Sequence, residues 1–223
     1  MGRVRMRPRA VSGAGTGTVR KSCSSAMALV LVVAACAPGM QADTLAGAAS
    51  ATSSQDAFWA NLRGLCERAA AGRLVQAPAG DTQIDPAASL VVHFRECGER
   101  ELRFPLHVDE NRSRTWVFIR NERGLELRHD HRKADGSEDT NTWYGATTVS
   151  EGTSVRQEFV SERNGVVSGW RVEIEPGSRF TYGTIRNGEW RHHLEFDLTR
   201  PAPMPPPPWG HETRPSQRPT PGG

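Results

Sequence analysis

The chain has 223 residues, with 28 lysines and arginines and 25 aspartates and glutamates. Residues 1–35 contain six of the basic residues and no acidic ones, so the rest of the chain has 22 basic and 25 acidic groups, a net charge of −3. The basic surface that nucleic-acid binding requires is therefore absent from residues 36–223. This composition excludes nucleic-acid binding as a function class.

Residues 1–35 are organised like an export signal. Basic residues precede an apolar run at 26–35, which is too short to cross a bilayer, since a span takes about 20 residues, but is typical of a signal peptide. The run ends in Val33-Ala-Ala-Cys36, which resembles the lipobox of bacterial lipoproteins. The resemblance implies a lipid on Cys36 and attachment to the outer membrane of the bacterial envelope, facing the periplasm. A secretory signal cleaved after Ala35 or Ala42, or an uncleaved anchor, is the alternative.

Low-complexity segments flank one predicted domain at residues 56–200. Residues 36–55 are rich in Ala, Gly, Ser and Thr, and predict a flexible tether that follows the lipidated cysteine. Residues 201–223 contain nine of the fifteen prolines. This composition predicts an extended, disordered tail.

Two cysteines, Cys66 and Cys97, lie within the predicted domain. Thiols in an oxidising compartment pair, so we expect a disulfide between them. The alternative, a catalytic cysteine, requires an unpaired thiol and a basic partner. No local nucleophile motif surrounds either cysteine.

The domain begins with one predicted helix. Phe58, Leu62 and Leu65 fall at helical spacing behind Asp56, which is expected to cap the helix. After residue 86 the chain alternates between apolar and polar residues, with turn residues every eight to twelve positions. This pattern predicts an antiparallel meander of about eight to ten strands.

A sheet with this many strands must curl or split to bury its apolar face. Closure into a barrel also removes the exposed edges. We therefore predict a mainly β fold: an antiparallel up-and-down β-barrel with one short N-terminal helix. The architecture resembles that of the calycins, the lipocalins and fatty-acid-binding proteins. A two-sheet β-sandwich is the alternative.

Three histidines are candidate ligand contacts. If the leucines at 125 and 127 face the interior, alternation directs His129 and His131 inward as well. His192 falls on an inward face by the same argument from its own strand. Such a group could bind a transition metal through His129 and His131, ligate haem, or hydrogen-bond a polar ligand. A hydrogen-bonded pair at a wet barrel rim is the plainer interpretation.

Two arginines, Arg112 and Arg114, lie at a turn ahead of an aromatic strand. Guanidinium groups suit carboxylates and phosphates, so these side chains could hold an anionic group at the barrel mouth. Pairing with nearby acids, such as Asp109 or those of the 135–139 segment, is the alternative. That segment lacks the spacing of a calcium loop and predicts a solvated turn.

Catalytic motifs are missing from the sequence. There is no phosphate-binding glycine loop, no serine nucleophile elbow and no Cys-x-x-Cys pair. Asp130 is adjacent to His129 on a predicted strand, so the two side chains point to opposite faces and do not form a dyad. The sequence therefore favours a protein that is not an enzyme.

Four motifs carry a closer resemblance: Phe58-Trp-x-x-Leu, Asn111-Arg-Ser-Arg-Thr-Trp, the Gly124 to Asp139 segment, and Tyr144-Gly. Together they resemble a group of small secreted bacterial proteins whose activity is uncharacterised. The resemblance covers about residues 56–199 and implies export and these domain boundaries. It names no substrate.

These observations favour a binding module tethered to the membrane through Cys36, with a small amphipathic or apolar molecule as its ligand. The candidate ligand contacts are the three histidines and two arginines named above. One alternative is a metal- or haem-binding protein, or an enzyme, that uses His129, His131 and His192. The other alternative is a structural or assembly factor of the cell envelope.

Overall fold

The computed structural model describes residues 53–213. The predicted signal peptide, Cys36, most of the tether and residues 214–223 lie outside the described residues. The described part contains one helix and twelve strands. In chain order these are α1 (Ser54–Arg63), β1 (Ala69–Gln76), β2 (Leu90–His93), β3 (Glu96–Cys97), β4 (Glu101–Val108), β5 (Asn111–Asn121), β6 (Gly124–His131), β7 (Tyr144–Thr147), β8 (Arg156–Arg163), β9 (Val166–Glu175), β10 (Arg179–Arg186), β11 (Glu189–Trp190) and β12 (His193–Asp197).

Helix α1 begins three residues earlier than predicted. Ser53 is the N-cap, and its hydroxyl accepts a hydrogen bond from the backbone N–H of Asp56. Asp56 is therefore not the cap but a first-turn residue, where its carboxylate is favoured by the helix dipole. Phe58 and Leu62 are fully buried, as the helical spacing predicted. Within the described residues, no helix has the length and apolarity to cross a membrane.

The strands form one nearly closed antiparallel barrel, in the order β7-β6-β5-β4-β2-β1-β12-β10-β9-β8. The short strands β3 and β11 pair with β4 and β10 beside this path. The two ends of the path, β7 and β8, approach each other at a bridge between Thr148 and Phe159. The predicted barrel is thus confirmed, and the sandwich alternative is not adopted.

Two hairpin turns use the same dipeptide. Asn187 and Gly188 join β10 to β11 with φ of 50° and 83°, and Asn164 and Gly165 join β8 to β9 with φ of 52° and 74°. Two successive residues with positive φ give the turn whose twist matches that of antiparallel strands, and Asn-Gly adopts it at low cost. The hairpin predicted at Asn187-Gly188 is therefore present.

Helix α1 covers one end of the barrel. Its first turn is held by an ion pair of Asp56 with Arg120 and by a hydrogen bond of 3.0 Å from Gln55 Nε2 to Thr148 Oγ1. The apolar side chains of the helix pack into a core that is rich in phenylalanine. The fully buried phenylalanines are Phe58, Phe94, Phe104, Phe118, Phe159, Phe180 and Phe196.

The predicted disulfide is present between Cys66 and Cys97. It joins the segment that follows α1 to β3, across a sequence separation of 31 residues. A cross-link over such a loop stabilises the fold by roughly 3–4 kcal/mol in the chain-entropy estimate. The cysteines are therefore structural.

Residues 201–213, here called the C-terminal strap, lie on the outer surface of the barrel. The backbone N–H of Trp209 donates to the carbonyl of Arg112 at 3.2 Å, and the Arg112 side chain donates to the carbonyl of Pro207 at 2.9 Å. Pro208 is buried. The expected disordered tail is wrong for these residues, because the strap has specific backbone partners on the sheet that its composition did not reveal.

Candidate functional site

A cavity of about 1040 Å³ opens at the end of the barrel opposite α1. It is surrounded by the turns and loops that join β1 to β2, β6 to β7, β8 to β9 and β10 to β12. The lining includes four of the residues singled out from sequence. These are Arg114, His129, His131 and His192.

The floor of the cavity is an aromatic stack. The rings of Trp116 and Tyr182 lie 3.8 Å apart between centroids, and both side chains are buried. Below the stack, Phe180 and Phe196 contact Trp116 with centroid distances of 6.1 and 6.0 Å, and neither of them lines the cavity. The core therefore fills the half of the barrel near α1 and leaves the other half open.

His129 lies beside the stack of Trp116 and Tyr182. Its hydrogen bonds indicate which of its ring nitrogens carries a hydrogen. Nδ1 is 3.2 Å from the carbonyl oxygen of Tyr144, which can only accept, so Nδ1 carries the hydrogen. Nε2 then accepts from the hydroxyl of Tyr182 at 2.5 Å. Burial lowers the pKa of His129 to about 3. The imidazole is therefore neutral at physiological pH.

His131 is the next inward residue on β6. Its Nε2 lies 3.1 Å from the hydroxyl of Tyr144, whose ring also stacks on His129 at 4.7 Å. Partial burial lowers the pKa of His131, and the neighbouring Arg114 guanidinium lowers it further. Trp170 completes this wall, with its ring centroid 4.7 Å from that of His129. The wall combines aromatic faces with neutral hydrogen-bonding groups.

His192 reaches the cavity from the opposite side. Its Nε2 lies 3.0 Å from a carboxylate oxygen of Asp81, and its Nδ1 lies 2.8 Å from the hydroxyl of Thr184. Because a carboxylate can only accept, Nε2 carries a hydrogen. A hydrogen bond from the backbone N–H of Gln83 lowers the pKa of Asp81, and the bond with His192 lowers it further. Asp81 therefore stays ionised and holds His192 in place.

The two candidate arginines separate in the structure. Arg114 lines the cavity and donates to the carbonyl of Gln83 at 3.5 Å. Arg112 is directed to the C-terminal strap instead. Leu106 of β4 pairs with Arg114 and Val108 pairs with Asn111, so the register shifts between these two pairs and Arg112 lies within the irregular stretch. Neither arginine pairs with an acid among the described residues, so that alternative is not observed.

Three further arginines at the cavity mouth were missed from sequence. They are the exposed residues Arg163, Arg186 and Arg191. Arg163 and Arg186 each directly precede an Asn-Gly pair, which is a signal the sequence did contain. Both hairpins turn at the same end of the barrel, so both arginines reach the same opening.

The predicted metal site at His129 and His131 lacks a third ligand among the described residues. Among residues 53–213, no group of three or more His, Cys, Asp or Glu side chains is placed to share a metal ion. Both ring nitrogens of His129 also have hydrogen-bond partners within the protein.

The 135–139 segment forms a turn in which the Asp135 carboxylate accepts from Ser137.

No family model matches the chain. No curated protein and no solved structure is significantly similar to it.

Proposed function

We propose that the domain is a binding module that holds a small amphipathic or apolar molecule in the cavity. Ligand cavities in proteins typically enclose roughly 300–1,000 Å³ and combine apolar walls with a few convergent polar groups. The cavity of about 1040 Å³ has this character. The single observation that supports the proposal most strongly is that the barrel interior stays open above the Trp116 and Tyr182 stack.

The polar groups in the cavity suit recognition rather than reaction. His129 is neutral and has both nitrogens engaged, and Asp81 binds His192 rather than a nucleophile. Hydrogen-bonding groups of this kind orient a ligand in a pocket that also presents apolar and aromatic faces. We therefore favour a binding protein over an enzyme.

We further propose that the module is anchored in the bacterial envelope through a lipid on Cys36. This part of the proposal rests on the export signal and the lipobox resemblance. Cells fed radiolabelled palmitate should label the full-length protein and its Cys23→Ser variant. A Cys36→Ser variant that kept the label would contradict the anchor.

Fluorescence titration with N-phenyl-1-naphthylamine tests the cavity. This neutral apolar probe should bind the purified domain with one site and a rise in emission. Replacing Trp170 with alanine removes a cavity wall, so the affinity should fall about tenfold, a loss of the stacking and apolar contact that one aromatic ring contributes. The matched control is Trp190→Ala, because Trp190 stacks on His193 on the outer face and does not line the cavity.

Two results would overturn the proposal. One is an absence of probe binding to folded wild-type domain. The other is an equal loss of affinity in both tryptophan variants, which would place the probe elsewhere on the protein.

A further inference from the structure

We infer that the ligand is an organic anion with a planar aromatic body, whose acidic group lies among the arginines at the cavity mouth. The inference rests on the proposed binding function and names the ligand class for the same cavity. Three observations support it: the charge of the mouth, the ring faces of the walls, and the polar edges between them.

The mouth of the cavity has unbalanced positive charge. Of the part of the chain that the structure describes, four arginines and one carboxylate, that of Asp81, line the cavity. Among the described residues, none of the four arginines forms an ion pair. Elsewhere on the outer sheet surface arginines do have acidic partners, such as Arg73 with Glu195 at 2.8 Å and Arg171 with Glu158 at 2.8 Å.

Arg114 is the deepest of these four cations. Its side chain is half-buried, whereas Arg163, Arg186 and Arg191 are exposed. Its one hydrogen bond within the described residues is a long contact of 3.5 Å to the carbonyl of Gln83. Guanidinium groups form paired, charge-assisted hydrogen bonds with carboxylates, sulfonates and phosphates. An oxyanion at the mouth would supply the partner that the protein itself does not.

The walls present ring faces and polar edges together. Trp116, Tyr144, Trp170 and Tyr182 supply the rings, while the Tyr144 hydroxyl and the His131 imidazole point a hydrogen-bonding edge into the same region. A planar aromatic ring stacks on such faces. A long alkyl chain has no flat face to stack on these rings. The walls therefore favour a ring over a fatty chain.

Two fluorescent probes with the same ring skeleton test whether the cavity favours an anionic ligand. The anion 1-anilinonaphthalene-8-sulfonate and the neutral N-phenyl-1-naphthylamine share their rings and differ by the sulfonate. At low ionic strength the sulfonate probe should bind at least about tenfold more tightly, and this advantage should shrink with added salt because the mouth is solvent-exposed.

Arginine variants locate the acidic group. Arg114→Gln and Arg186→Gln should each weaken binding of the sulfonate probe about fivefold or more and weaken binding of the neutral probe much less. The matched control is Arg123→Gln, which makes the same charge change at the exposed β5–β6 turn on the α1 end of the barrel. Thermal melts of each variant establish that the compared proteins are folded.

Competition tests the body of the ligand. Both 2-naphthoate and decanoate carry one carboxylate, and 2-naphthoate should displace the sulfonate probe at lower concentration. Stronger displacement by decanoate would overturn the aromatic body.

Equal affinity for the two probes, or equal effects of Arg114→Gln and Arg123→Gln, would overturn the anionic group while leaving the binding module in place. Failure of both probes to bind folded wild-type domain would instead remove the proposed function itself.

Discussion

His129 keeps its place only as a neutral imidazole. Its Nδ1–H donates to the Tyr144 carbonyl, and its Nε2 lone pair accepts from Tyr182. A proton on Nε2 would lose the second bond and place a charge in a site where only 3% of the residue is exposed. Burial also raises the pKa of Tyr182 well above its ordinary value, so the hydroxyl remains a donor. The two residues thus fix each other's protonation.

This arrangement predicts loss of stability in mild acid. In the unfolded chain His129 takes up a proton near its ordinary pKa of 6.5, but in the folded protein it does so only near a pKa of about 3. Its contribution is therefore complete above 6.5 and declines as the pH falls, by about 1.4 kcal/mol per pH unit. Urea unfolding of wild type and His129→Asn at about pH 7.5 and pH 5 measures it, because wild type should lose about 2 kcal/mol more than the variant.

The comparison isolates His129 because other buried histidines are common to both proteins. His107, for example, has a pKa that burial lowers to about 4, and it contributes equally in the two unfolding series. Asparagine retains an N–H that can reach the Tyr144 carbonyl. Parallel pH profiles for wild type and variant would show that His129 is not held neutral.

At the scale of an element, the C-terminal strap covers a buried charged residue, Asp130, on the outer face of the sheet. Asp130 points away from the cavity, as alternation predicted, and yet has no exposed surface. Its carboxylate bonds to Arg132 at 2.7 Å and to His211 of the strap at 2.8 Å. Burial by itself would raise the pKa of Asp130, but the bonds from His211 and Arg132 outweigh it and the pKa is lowered. This contribution is present above the ordinary pKa of 3.8 and is lost as the pH falls below it.

Removing the strap should destabilise the domain. A chain that ends at Arg200 loses the hydrogen bonds to Arg112, Arg95 and Asp130, and exposes the Asp130 carboxylate. At about 1 kcal/mol for each bond, we expect the free energy of unfolding to fall by about 3–4 kcal/mol. Chemical denaturation measures this change. The control is a chain that ends at Thr213, which keeps the whole strap and should match wild type.

Equal stability of the two truncated chains would show that the strap contributes nothing to the fold. A loss that appeared only in the chain ending at Arg200 would confirm that residues 201–213 belong to the domain rather than to a tail.

At the scale of the whole molecule, the barrel comes nearest to closure where β7 and β8 approach each other. Thr148 lies directly after β7 and forms the bridge with Phe159. Its hydroxyl also accepts from Gln55 of α1 and from the backbone N–H of Leu125 at 3.2 Å. Thr148 thus connects α1, β6 and the strands β7 and β8. We therefore expect its hydroxyl to stabilise the contact between β7 and β8.

Thr148→Val should loosen the closure without changing the shape of the side chain. The hydroxyl contacts are lost while the volume is kept, so the free energy of unfolding should fall by about 1–2 kcal/mol. Amide hydrogen exchange should also quicken in β7 and β8 relative to β4 and β5. The control is Thr147→Val, because Thr147 is only half-buried and its hydroxyl forms no hydrogen bond within residues 53–213. Equal exchange in the two variants would contradict this role.

Much of the fold and part of the site could be predicted from local spacing. Alternation along β6 placed His129 and His131 inward, the Asn-Gly pair marked a hairpin, and the two thiols were expected to pair. Each inference depends only on neighbours in the chain and on the fixed side-chain period of a regular strand. The number of amphipathic strands then required the sheet to close.

Irregular backbone breaks the alternation of inward and outward side chains at two places. Trp190 has the same parity as His192, but the bend at residues 191–192 separates β11 from β12, so Trp190 packs outside on His193 while His192 lines the cavity. The register shift beside β5 likewise separates Arg112 from Arg114. A pattern with a period of two holds only where pairing is regular.

The sequence by itself determined the class of fold, the disulfide and the inward face of β6, because each follows from residue types at short separations. Only the tertiary structure decided that the barrel is open above Trp116, that four arginines meet at its mouth, and that the strap covers Asp130. These features join residues far apart in the chain, and Asp130 and His211, for example, are 81 positions apart. Contacts at such distances depend on how the closed sheet packs, which no local pattern specifies.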